Sequence, residues 1–270
     1  MPTLTTESGD DIFYQIDDFT DPWQPAETVV LLHGNAESGE AWRGWIPHLG
    51  RNFKIIRPDL RGFGRSSAMP EDFPWSLNVL SDDLSKLLVH LKIDSFHLVA
   101  AKIGGTIALN FAAEYPALVK TLTVLGAPPS PKKSLAPTVA LWVEQLRKDG
   151  LEPWARGSMR GRLGSQASEE MLEYWTQLMA KTSLSTQLGF MKMVPTLDVR
   201  PGLSKIQCPT LVITTTGSGL GTVQDTESWC ELIQTSTMLV LDDDSYHVAA
   251  VKVEESAQAT SRFITQHLTQ

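Results

Sequence analysis

The 270-residue chain has little cysteine: only Cys208 and Cys230. Two cysteines cannot build a disulfide framework, and neither sits at a metal-ligand spacing, so both read as reduced thiols packed as small hydrophobes. Excess positive charge is also missing. The formal net charge is -8 and the isoelectric point about 5.3, the opposite of the basic surface that nucleic-acid binding needs. No apolar run approaches the roughly 20 residues that span a bilayer. The opening MPTLTTESGDDIFYQIDDF has no basic segment followed by an apolar one, which predicts no secretory signal and a cytoplasmic location. Internal repeats, low-complexity tracts, clustered metal ligands and a phosphate loop are all lacking. No metal, cofactor, nucleic acid or membrane partner is therefore expected, only a small-molecule substrate.

What is present is ordinary globular material, 42% hydrophobic and 20% charged, enough for one large domain or a domain carrying an insertion. Strand-length runs rich in Val, Ile and Leu lie at TVVLLHG (28–34), FKIIRPD (53–59), FHLVAA (96–101), VKTLTVLGA (119–127), PTLVITTTG (209–217) and STMLVLDDD (236–244). Such near-continuous runs suit strands covered on both faces, and helical patterns between them predict an α/β fold with a mostly parallel central sheet. One such helix is SLNVLSDDLSKLLVHLK (76–92), with Ser76 as its N-cap. From about 130 to 205 the alternation stops. PPSPKKSLAP leads into TVALWVEQLRKDG and SEEMLEYWTQLMAKT, predicting a helical cap (130–205) inserted in a core of 1–129 and 206–270. Trp142, Trp154 and Trp175 in that segment are candidate pocket residues, although packing of the insertion against the sheet accounts for any one of them more readily.

The stretch LVAAKIGG (98–105) looks like a buried strand turning sharply into a helix. Together with LLHGNAESGEAW, RPDLRGFGRSS, PTLVI and DDDSYHVAAVKVEE, in that order, it resembles the α/β-hydrolase family, closest by cap type to meta-cleavage-product hydrolases and enol-lactonases. The resemblance implies an α/β-hydrolase fold with a nucleophile elbow at 100–104, oxyanion-hole amides from Asn35 and Ile103, and His247 as general base. His33 precedes the oxyanion residue and is a further pocket candidate.

Two departures stand out. The elbow tip, where the family carries Ser, Asp or Cys, is Lys102, although Gly104 and Gly105 keep the turn's small residues. The usual acid position after PTLVI falls at Ser218, and the alternative VLGAPP also lacks a carboxylate. His247 is thus left with Ser218 or a water to orient it, since Asp225 suits the start of the helix DTESWCELI. A serine enzyme with a substituted elbow would normally keep the rest of its triad.

A lysine at its ordinary pKa of about 10.4 is charged. A helix N-terminus and burial both lower that value, and reaching neutrality takes about 4 kcal/mol. Absence of a nearby carboxylate is expected to assist. A neutral Lys102 could form a Schiff base or act as an acid or base beside His247; a charged one could hold an enolate or carboxylate. An acyl-lysine would be a dead-end amide. These options imply a cofactor-independent hydrolase or lyase cleaving a C–C or lactone-type bond in a small, anionic carbonyl compound. The alternative is a catalytically silent member that binds a ligand beneath the cap.

Overall fold

The computed structural model describes residues 2–268. Eight strands form one sheet: β1 (Thr3–Thr5), β2 (Asp11–Asp17), β3 (Glu27–Leu32), β4 (Phe53–Pro58), β5 (Phe96–Ala101), β6 (Val119–Leu125), β7 (Thr210–Thr215) and β8 (Ser236–Leu241). Their order is β1-β2-β4-β3-β5-β6-β7-β8. The contacts β1–β2 and β2–β4 are antiparallel, and every other pairing is parallel. All of the predicted apolar runs are strands. The pair β1 and β2 goes beyond them: β1 is the sheet's edge, and both carry polar residues that a doubly covered central strand lacks.

The central strands are apolar because helices cover both faces. Every residue of β5 is buried, and so is most of the helix Ile103–Glu114 that follows it. The helix Leu77–Leu91 begins at Ser76, whose side chain accepts the Val79 amide. Between β6 and β7 no strand occurs among the described residues. Helices Ala136–Asp149, Leu151–Leu163, Glu169–Ala180 and Leu184–Met193 fill the interval. Asp225 does cap its helix, in a reciprocal capping box with Thr222. No helix among the described residues is long and apolar enough to cross a membrane.

Strand order sets where chemistry can occur. From β3 the chain moves outward to β4, then returns to place β5 on the other side of β3. The carboxyl ends of β3 and β5 therefore diverge into loops on opposite sides, leaving the crevice in which α/β sheets bind ligands. Residues 33–39 and Lys102 both emerge there.

Candidate active site

Lys102 stands at the sharp turn between β5 and its helix, with φ 55° and ψ -126°. A lysine in this region is strained, and the surroundings hold it there. Its amide donates to the Leu125 carbonyl at 2.9 Å, and its carbonyl accepts the Gly105 amide at 2.9 Å. A Cβ on Gly104 would collide with the His33 carbonyl, and one on Gly105 with Ala127. The small residues thus keep the elbow tight while its tip is lysine.

Lys102 is 4% exposed. It lies across Gly34, where an added Cβ would strike Cε, and its Nζ donates to Glu37 Oε1. Glu37 is 1% exposed. Ala36, at φ 57°, turns the chain so that Glu37 folds back, its Oε2 accepting the Gly34 amide at 3.0 Å. His247 Nε2 lies 3.0 Å from the same Oε1, without the alignment of a ring hydrogen bond. Burial is the largest influence on His247 and pushes its pKa down to about 4, with the Lys102 charge acting the same way. The imidazole is therefore neutral at pH 7, its proton best placed on Nε2 because a lone pair there would face the carboxylate.

Glu37 overturns the expectation that no carboxylate is near Lys102. Burial opposes ionisation, but Lys102 and His247 hold it ionised well below the usual carboxylate range. Glu37 in turn favours the lysine's charge, yet burial outweighs it and brings Lys102 down to about 8. The direction anticipated from the sequence stands; its supposed help from a missing carboxylate does not. Sequence reasoning looked for an acid only after β6 and β7. The signal passed over was a carboxylate three residues beyond Gly34, in the loop beside the elbow, where a buried lysine needs one.

Ser218 does not orient His247. Its hydroxyl accepts the Leu220 amide within its own loop at 3.3 Å, and His247 Nδ1 has no partner among the described residues. His33 also leaves the pocket set: Nε2 accepts the Leu60 amide at 2.8 Å and Nδ1 meets the Gly34 carbonyl at 2.7 Å. It clasps two loops. Trp154 is fully buried behind the cavity beside Trp142, and Trp175 packs edge-on against the His247 ring at 4.5 Å; neither lines the cavity.

That cavity has a volume of about 50 Å³ and is lined by Asn35, Lys102, Ile103, Trp142, Arg162 and Tyr246, among others. Ile103 opens its helix, so its N–H lacks a partner within the helix. Asn35 Oδ1 is buried with no partner among the described residues. A second cavity of about 240 Å³ shares the Pro128 and Leu220 walls and includes Ser218. Chemically, the ensemble offers a buried amine beside a carboxylate, a neutral imidazole and amide donors.

The fold and this elbow define a class, and the chain belongs to it: the alpha/beta hydrolase fold family, whose model matches residues 27–252. Among individual proteins, it is similar to RutD of Rhizobium rhizogenes strain K84, 23% identical over 88% of this chain and 93% of that protein. A shorter match, 33% identical over 37% of each chain, is to the 2-hydroxy-6-oxo-2,4-heptadienoate hydrolase of Pseudomonas putida. The enol-lactonase from Burkholderia xenovorans LB400 superimposes with a TM-score of 0.88 at 19% identity, covering 98% of this chain and 100% of that one. The structural likeness speaks for the fold.

Proposed function

We propose that the protein is a cofactor-independent enzyme that cleaves a C–C bond in a small, anionic carbonyl compound through an imine on Lys102. The observation that carries this reading is the elbow lysine, buried and held by a buried carboxylate in a small cavity. Of the two bond types considered, C–C fission suits an amine, because aminolysis of a lactone would end in a stable amide.

The Lys102 ammonium passes its proton to water, and the freed amine attacks the substrate carbonyl. The carbinolamine oxygen gains protons and leaves as water. The resulting iminium accepts the electron pair of its Cα–Cβ bond as that bond breaks, giving an enamine while the other fragment departs as carbon dioxide or, from a β-hydroxyl that gives up its proton, as an aldehyde or ketone. The enamine is protonated at carbon, and hydrolysis then restores lysine and releases the product. With Lys102 near pKa 8, a useful share of amine is neutral close to neutral pH. His247 is placed to relay protons beside Glu37. The helices of 130–205 act as a cap, consistent with Trp142, Arg162 and Met191 lining the cavity. The Pseudomonas relative's name describes an oxo-acid, which agrees in substrate class.

The test is incubation with small keto acids and diketones plus borohydride, followed by intact mass and peptide mapping. A reduced adduct confined to Lys102, and loss of turnover in Lys102→Ala, is the expected result. Absence of adduct across the set removes the imine. One observation favours a second reading, a ligand-binding member without turnover: the cavity beside Lys102 is only about 50 Å³. That reading predicts binding with no product in either the wild type or Lys102→Ala.

A further inference from the structure

The charges around the cavity do not cancel. Lys102 and Glu37 neutralise each other, and His247 is neutral at pH 7. Arg162 remains. It lines the cavity and is 4% exposed, and no carboxylate pairs with it among the described residues. Its Nε donates to Ser158 Oγ at 3.0 Å, while Nη2 is buried with no partner. A guanidinium cannot shed its charge by losing a proton, so an unpaired one in the interior is costly.

The protein also fixes this group firmly. Its guanidinium carbon lies 5.2 Å from the Trp154 ring centre, 5.9 Å from that of Trp142 and 6.0 Å from that of Tyr246. The Arg162 carbonyl accepts the amides of Tyr246 at 3.2 Å and His247 at 3.0 Å. The end of helix Leu151–Leu163 is thereby tied to the loop carrying His247. Aromatic rings compensate a cation in part, but they leave the N–H edge unanswered. A rigid, desolvated fork on a residue that lines the same cavity as Lys102 suits a planar anion.

We propose that Arg162 anchors the carboxylate of a short oxo-monocarboxylic acid, holding its carbonyl group beside Lys102. One carboxylate matches the single uncompensated charge, and substituents extend past Pro128 and Leu220 into the larger cavity. This deepens the imine reading and rests on it for the carbonyl's position, whereas the anion contact itself needs only Arg162.

The test measures binding of pyruvate, 2-oxobutyrate and acetoacetate against neutral methyl pyruvate, read by quenching of the tryptophans that surround the guanidinium. Arg162→Met is expected to weaken the acids by about 30-fold or more and leave the ester unchanged, the loss typical of a desolvated charge contact. Arg162→Lys should recover part of that loss. Equal acid binding in Arg162→Met and wild type, or no saturable binding of any of the three acids, overturns the proposal. Should Arg162→Met fail to fold, wild type decides: equal affinity for pyruvate and its methyl ester overturns it. Borohydride separates the two readings. Arg162-dependent binding without an adduct keeps the anchor and removes the imine; equal pyruvate adducts in wild type and Arg162→Met keep the imine and remove the anchor.

Discussion

The loop after β3 and the loop after β7 lie on opposite sides of the elbow and carry opposite chemistry. The resemblance leads one to expect the acid after β7, yet that loop holds Ser218, whose hydroxyl serves its own turn. The carboxylate comes instead from the loop after β3. There Glu37 meets Lys102 and the Nε2 side of His247, while Nδ1 has no described partner. In a Ser-His-Asp arrangement the acid supports the imidazole from its Nδ1 side. Here the carboxylate stands on the reacting side. The difference shows charge following charge: a lysine at the tip demands neutralisation at Nζ, and the β3 loop supplies it.

The sharpest way to break this comparison is Glu37→Gln. It leaves a buried ammonium uncompensated, and at pH values well below 8 it should cost about 3–5 kcal/mol in unfolding free energy and abolish turnover. Glu37 raises the pKa of Lys102, so without it the lysine begins to lose its charge below pH 8 and the stability cost should shrink as pH rises. Urea unfolding of Glu37→Gln, Lys102→Met and the double variant checks this. The double variant should be much more stable than the summed single losses imply; strict additivity would mean the two groups do not form one unit.

A somewhat smaller effect comes from acid. His247 and His97 both have pKa values lowered from 6.5 to about 4, chiefly by burial. Between those values the unfolded chain binds more protons than the native one, so stability falls as pH drops from 6.5 to 4. Each histidine should contribute roughly 3 kcal/mol to that loss. His97 bonds Thr121 within the sheet, far from the loop after β3 in sequence. Comparing His97→Gln with His247→Gln across this window therefore separates the site's share from the core's. A window unchanged by His247→Gln would show that the imidazole is not buried in neutral form.

The fold was legible because its signals are collective: apolar runs, alternating helices and ordered motifs all point to one sheet. The elbow was legible too, since Gly104 and Gly105 announce the close approach around Lys102. Glu37 was in plain sight within HGNAESGEAW but not interpretable from spacing. Its burial depends on the Ala36 backbone swinging it back to Gly34, a turn that nothing in the local pattern demands. Arg162 was hidden for a related reason. An arginine near a helix end ordinarily faces solvent, and only the packing of Trp142, Trp154 and Tyr246 encloses it. The tryptophans misled in the opposite direction: Trp154 and Trp175 looked like pocket walls and prove to be supports for Arg162 and His247.

Space in the β3 loop gives a more moderate test. Gly34 leaves room for the lysine stem, since an added Cβ would strike Lys102 Cε. Gly34→Ala should cost about 1–3 kcal/mol through overpacking, and Lys102→Ala should relieve most of that cost by removing the stem. Thermal melts of the two single variants and the double variant measure it. If Gly34→Ala were equally costly in the Lys102→Ala background, the penalty would belong to the loop backbone and not to the lysine.

The smallest expected effect lies on the other side of the comparison. Ser218 bonds only within its own turn, and the turn is partly exposed. Ser218→Ala should therefore change unfolding free energy by no more than about 0.5 kcal/mol and leave turnover intact. Ser218→Asp is the more telling partner. It restores a carboxylate where the resemblance expects one but gives Lys102 no new contact, so it should not rescue Glu37→Gln. If it did restore the turnover of Glu37→Gln, an acid after β7 would be functionally equivalent to Glu37. The site would then be an ordinary relay with a displaced acid, and the carboxylate's place at Lys102 Nζ would have no chemical consequence.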